Sequence, residues 1–292
     1  MATQAALILG VKELVQDSVF TSDKILDYLN QGVRQIAGGI FFRYPDGTQI
    51  ISSPLPDLST NSELTTSITL PYISMPSDFG RDLFFLVSST NKIEIELYES
   101  YTEFLRAYPN LDNTSRVIAA SVRGNRLYYQ GYPGTAETLI GYYYRNPHDM
   151  ATLTGGVDIT FTATTLRIAD AGGDLDRFYA GQIIDVTGTS LNNTNFTIAS
   201  VESDGSYLTT TAAPVLEANT SAVIKSRPDG IPVHLHESLL KDYCAWEIFK
   251  LKTKNDPQME TGARKHQELF LRALINMETA IETVPGSTQF SV

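Results

Sequence analysis

The residues of this chain best suited to chemistry are few. His234 and His236 flank Leu235, and Glu237 follows. On an extended strand, residues two apart face the same side, so both imidazoles would be placed as metal ligands are. No third ligand stands at a recognisable spacing, and two polar residues in the approach to a helix is the preferred reading. Asp174-Leu175-Asp176, after Ala171-Gly172-Gly173, has the opening of a calcium loop. The glycine and the closing glutamate of such a loop do not fall in place, so a solvated turn is expected. Among 33 acidic residues some pair will always look like a glycosidase acid and nucleophile. Sequence gives no separation between carboxyl groups, so no pair is singled out. His148 reads as a loop residue and His266 as a helix-face residue. Cys244, the only cysteine, lies among Leu240, Tyr243 and Trp246, an apolar setting that keeps a thiol protonated and inert. No phosphate-binding loop and no nucleophile elbow is present. The expectation is a protein that is not an enzyme, with no catalytic residue, metal or cofactor assigned.

A second chemistry is contact itself. The stretch LYYQGYPGTAETLIGYYYRNP, 127–147, holds six tyrosines and ends with three in succession. A half-buried strand needs large rings on one face only. Tyrosine on both faces suits an interface, because the ring buries well while the hydroxyl still finds a partner when wet. Tyr128, Tyr142, Tyr143 and Tyr144 are the expected contact residues. One tyrosine face is expected to pack on helices and the other on a neighbouring subunit. Stacking of sugars or bases on these rings is the competing use. Base stacking is disfavoured because no Lys/Arg cluster accompanies the rings in sequence.

Composition bounds the rest. The chain has 292 residues, 42% hydrophobic and 19% charged, enough to bury a core and suggesting about two domains. The net charge of −11 and the sequence pI of about 4.8 argue against a grip on nucleic-acid phosphates, which takes clustered Lys and Arg. No run approaches the roughly 18 apolar residues of a membrane span. The start, MATQAALILGVKEL, lacks a basic residue before its short apolar run, so no secretory signal is expected. A single cysteine fits folding in a reducing compartment.

The elements that would carry these residues follow from periodicity. Leu7, Ile8, Val11, Leu14 and Val15 recur at helix spacing. Ile25, Leu26, Leu29, Val33, Ile36 and Ala37 form a second stripe, capped by Ser22 or Asp23 and ended by Gly38 and Gly39. The span 43–66, rich in Pro, Ser, Asp and Gly, reads as a long loop. β-rich runs follow at SITLPYISMP, RDLFFLVSS and KIEIELYES, then a short helix at YTEFLRAYP. VIAASVRGNRLYYQGY reads as a hairpin turning at Gly124-Asn125. From about Ala151 to Ser226 the composition shifts to Thr, Gly, Asp, Ala and Asn. Five short strands are expected there, forming a small barrel or sandwich. Leu235, Leu239, Tyr243 and Trp246 begin the closing helices. The last of these carries Met259, Ala263, His266, Phe270, Ala273, Met277 and Ile281 at near-heptad spacing. Leu271, Leu274 and Ile275 widen its apolar surface beyond one stripe, which makes Phe270, Leu274 and Met277 further expected contacts. The fold class expected is α+β: a helical core of N- and C-terminal helices with an antiparallel β-sheet region, plus an inserted small all-β domain. In domain terms, 1–150 and 227–292 form a discontinuous core, and 151–226 is the insert.

LDYLNQGVRQIAGGI, LPYISMPSDFGRDLFFLVSS and the tyrosine-rich strand ending in Arg145-Asn146-Pro147, followed by closing helices, together resemble the head–tail adaptor (connector) proteins of tailed bacteriophages. ISMPSDFGRD is similar to that family's Leu-Pro-x-Asp-Phe-like passage. The resemblance covers most of 1–150 and 233–283; the 151–226 module departs from the minimal pattern. It implies a virion neck protein, assembled in the host's cytoplasm, that forms a homo-oligomeric ring, commonly of twelve copies, beneath the portal protein. Such a ring extends the DNA channel without binding DNA specifically, and docks the next tail component. It also implies an extended C-terminal segment reaching the portal. Here that segment is about 285–292, where Thr288, Phe290 and Val292 alternate as an added strand would. The competing readings are a tail-associated adhesin whose β module recognises a surface glycan, and a hydrolase.

Overall fold

The computed structural model describes residues 3–39, 41–43, 49–51, 54–154, 158–253 and 259–282. Five α-helices are present among them: α1 (Gln4–Val15), α2 (Ser22–Ala37), α3 (Tyr101–Ala107), α4 (Asp242–Thr253) and α5 (Met259–Glu282). Two short strands, β1 (Phe41–Arg43) and β2 (Gln49–Ile51), precede three larger sheets of four, four and eight strands. The chain divides into two compact units. One holds 1–37, 43–52 and 148–292; the other holds 38–42 and 53–147.

This is a mostly β protein. The expected helical core carrying a sheet region and a small β insert is therefore corrected. The strands of 53–147 close a core of their own. The periodicity of the helices is real, but it organises only part of one unit.

In the second unit the strands are β3 (Ser59–Thr65), β4 (Tyr72–Ser74), β5 (Phe79–Ser88), β6 (Ile93–Glu94), β7 (Glu96–Tyr98), β8 (Ala119–Arg123), β9 (Arg126–Tyr129) and β10 (Thr138–Arg145). They form two sheets, in the orders β3-β10-β5-β6 and β4-β9-β8-β7. Leu64, Leu86 and Leu139 from the first sheet pack with Ala120, Leu127 and Tyr129 from the second, and Met75, Ile95 and Val117 fill in. The β8–β9 hairpin turns at Gly124-Asn125, with Gly124 at φ +59° where a side chain would be strained. Helix α3 begins at Ser100, whose hydroxyl accepts from the Glu103 N–H. The stretch expected to be one long loop supplies β3. STNSELT hides as a strand because Leu64 is its only buried apolar residue.

The first unit contains helices and the β module. Ile25, Leu29, Val33 and Ile36 of α2 are fully buried, as are Leu7 and Val11 of α1 and Tyr243, Cys244 and Ile248 of α4. Gly32 sits where a Cβ would come within 2.7 Å of the Tyr243 ring. Its absence of a side chain is what lets α2 pack so close. Residues Glu237–Lys241 form a π-helical turn leading into α4.

The module has eight strands: β11 (Thr152–Thr154), β12 (Ile159–Thr162), β13 (Arg167–Asp170), β14 (Ile183–Thr187), β15 (Asn195–Val201), β16 (Tyr207–Thr210), β17 (Glu217–Thr220) and β18 (Val223–Ser226). They run in the order β11-β18-β14-β15-β16-β13-β12-β17. Five were expected; β11, β12 and β17 were not, being short and rich in threonine. Their inward residues, among them Ile159, Phe161, Ile168, Ile184, Leu208 and Ile224, make one contiguous apolar core.

Candidate functional site

Strand β10 carries the tyrosine triplet, and strand geometry sorts it. Leu139, Gly141 and Tyr143 point inward; Ile140, Tyr142 and Tyr144 stand on the outer face, half-buried. Tyr143 is 1% exposed. Its hydroxyl donates to the Asp78 carboxylate at 2.7 Å, and its ring lies against Phe79 at 5.4 Å. Burial first, and that hydrogen bond second, push its pKa well above the ordinary tyrosine value. On the inner face Leu139 joins the core between the two sheets, and Tyr143 rests on Asp78 and Phe79.

The outer face is completed by β5. Pairing between β10 and β5 is regular from Leu139↔Ser88 to Tyr142↔Phe85, then slips so that Tyr144 lies opposite Arg81. The extra β5 residues form a bulge, with Asp82 in the left-handed region at φ 49°. Arg81 fixes this turn by bonding the Asp82 carboxylate at 2.7 Å and the Gly38 carbonyl at 3.1 Å. The bulge turns two successive phenylalanines outward. Phe84 meets Tyr144 at 5.2 Å and Phe85 meets Tyr142 at 5.6 Å, both tilted. Phe84 stays 47% exposed and Phe85 37%. An aromatic strip of Phe84, Phe85, Tyr142 and Tyr144 results.

The other sheet carries a different arrangement. Tyr128 lies between Tyr72 at 5.3 Å and Tyr101 at 4.9 Å. Arg126 covers the Tyr72 ring at 4.4 Å and Arg123 covers Tyr101 at 4.9 Å. The Tyr128 hydroxyl, then the charge of Tyr72, raise the Arg126 pKa. Sequence reading missed this ladder because Tyr72 and Tyr101 are distant along the chain; the Arg-Gly-Asn-Arg hairpin was its only local sign. The guanidinium groups occupy the ring faces of Tyr72 and Tyr101, so those faces are not open platforms for bases. Below the bulge, a cleft of about 590 Å³ is lined by Phe79, Leu83, Phe84, Leu97, Tyr98, Glu99 and Val122 with Arg81 and Asp82, so Phe84 also forms one of its walls. No nucleophile–base pair lines it.

The remaining sequence candidates scatter. Phe270 and Leu274 are buried inside the first unit, Phe270 against Tyr243 at 5.4 Å and Trp246 at 5.9 Å. They hold α5 on α4. Met277 is on α5, but its side chain lies outside the described residues, as do Thr288, Phe290 and Val292 altogether. His234 falls in a 3-10 turn and is exposed, while His236 is buried with Nε2 2.7 Å from the Ile231 carbonyl. The extended geometry that would align the two imidazoles is not formed. Among the described residues no group of three His, Cys, Asp or Glu is placed to hold a metal ion. Asp174 pairs with Arg177 at 2.7 Å. His266 bonds Asp242 at 2.8 Å and stacks on Phe249, and His148 stacks on Tyr179 at 3.7 Å. Burial, then Glu247, pushes the Cys244 thiol far up.

No helix among the described residues is long and apolar enough to cross a membrane. No protein-family model matches the chain, and no curated protein matches it.

Proposed function

We propose that this chain is a structural subunit of the neck of a tailed bacteriophage: a head–tail adaptor that joins copies of itself in a ring beneath the portal and docks the next tail component. The observation that carries the reading is the aromatic strip. Phe84 and Phe85 are held outward by a bulge and braced by Tyr142 and Tyr144. Four large, partly exposed rings gathered on one sheet face are a surface suited to protein contact. The net charge of −11 suits subunits that line a passage for DNA without holding it. The passages at 26–40, 70–89 and 127–147 are similar to those of adaptors, and the assembly proposed rests on that resemblance. The adhesin reading finds less support, because the module's most exposed large side chains at its tip are Leu191, Val215 and Leu216, aliphatic groups with no ring to lay against a sugar.

Electron microscopy tests it. The protein mixed with a phage portal should add a ring of density to one face of the portal, and purified particles should carry the chain at the neck. Particles whose neck lacks it would overturn the reading.

A further inference from the structure

The β8–β9 hairpin gathers positive charge that no ion pair neutralises. Strand pairing sets Arg123 directly opposite Arg126, and like charges placed so repel. Both residues are exposed. Elsewhere this acidic chain pairs its arginines: Arg34, Arg81, Arg177, Arg227, Arg264 and Arg272 each meet a carboxylate. Among the described residues neither Arg123 nor Arg126 does, although Glu99 and Glu103 flank Tyr101 in the chain. Arg167 also lies on a tyrosine ring, that of Tyr207, but there the Glu202 carboxylate accepts from the Tyr207 hydroxyl at 2.6 Å, so an acid stands at hand.

The two guanidinium groups are held in place as well. Arg126 lies on Tyr72 and Arg123 on Tyr101, with Tyr128 between those two rings. The groups that raise the Arg126 pKa are tyrosines, not carboxylates. A ring engages the flat side of a guanidinium and leaves its in-plane N–H donors free to meet an acceptor. Those donors match the paired oxygens of a carboxylate, and a stacked side chain has less rotamer freedom left to lose on binding.

The surroundings select among anions. The ring faces of Tyr72 and Tyr101 carry guanidinium groups, so a base has no open platform there. Strands β4, β8 and β9 and helix α3 contain no lysine that would extend a track for phosphates. The net charge of −11 opposes a polyanion in proportion to its length, which favours a short one.

We propose that Arg123 and Arg126, stacked on the tyrosine ladder, form a site for the carboxylate side chains of a short acidic segment of a partner protein. The site stands apart from the adaptor reading, and its test needs no phage particle.

Fluorescence anisotropy of a labelled hexaglutamate peptide, titrated with the full chain at low salt, tests it. The parent should bind saturably, and the affinity should fall as salt is added. Arg123→Gln together with Arg126→Gln should lose about tenfold or more in affinity, while Arg167→Gln in the β module should change nothing. If the double change lowers the melting temperature, Arg126→Gln alone serves, with an expected loss of about threefold. A parent that does not bind the peptide, hairpin variants that bind as the parent does, or an equal loss from Arg167→Gln would each overturn the proposal. So would a hexathymidylate strand that binds more tightly than the peptide and through the same arginines, which would give the site to nucleic acid. Inorganic phosphate that binds through these arginines and is not displaced by the peptide would overturn it too.

Discussion

Tyr143 and Tyr144 are adjacent in the chain and do opposite things. Tyr143 is buried with its hydroxyl on Asp78; Tyr144 stands on the outer face against Phe84. Removing the Tyr143 hydroxyl leaves an acceptor on Asp78 without its donor. Tyr143→Phe should therefore cost about 1 kcal/mol in urea unfolding, while Tyr144→Phe should leave stability unchanged within error. Equal effects from both would mean the face assignment is reversed. The alternation was legible in the sequence, since neighbours on a strand must face opposite ways. Which parity pointed inward was not, because nothing local to GYYYR says where the second sheet lies. The ladder of Arg126, Tyr72, Tyr128, Tyr101 and Arg123 was illegible for a related reason. Its rings come from two strands and a helix, and only pairing brings them together.

At the scale of elements, the bulge in β5 does the most for the site. A regular strand would have sent Phe84 and Phe85 to opposite faces; the slipped register places both outside. RDLFFLVSS was legible as a strand, but its bulge depends on pairing with β10. Strand β3 was lost in an expected loop because an edge strand with one buried residue has almost no hydrophobic signal. In the module, the end of the sheet is fixed by an ion pair: Arg227, just beyond β18, bonds the Asp185 carboxylate of β14 through Nε at 3.0 Å and Nη2 at 2.5 Å. Both side chains are largely buried, 6% and 16% exposed. Arg227→Met should leave a buried carboxylate and destabilise the module by about 3 kcal/mol, read by chemical denaturation. A change below half of that would show that water already reaches Asp185.

At the scale of the molecule, the chain divides into two compact units, one of 1–37, 43–52 and 148–292 and one of 38–42 and 53–147. The module has its own apolar core running from Leu153 to Ile224. Expressed alone, residues 150–228 should give a β-type circular dichroism spectrum and a cooperative melt, because no residue of that core is borrowed from a helix. A fragment that melts without cooperativity would show that the helices of the same unit stabilise it.

The helices, the turn at Gly124, the apolar stripe of α2 and the inward cluster around Cys244 follow from sequence alone, because each rests on spacing and local backbone preference. The composition limits of the 151–226 module follow in the same way. The division into units, the partner of the tyrosine strand, the outward turn of Phe84 and Phe85, and the exposure of Leu191, Val215 and Leu216 needed the tertiary structure. Each depends on which distant segments pair and in what register, and strand pairing energy is spread over long-range contacts that leave no mark on the neighbouring residues.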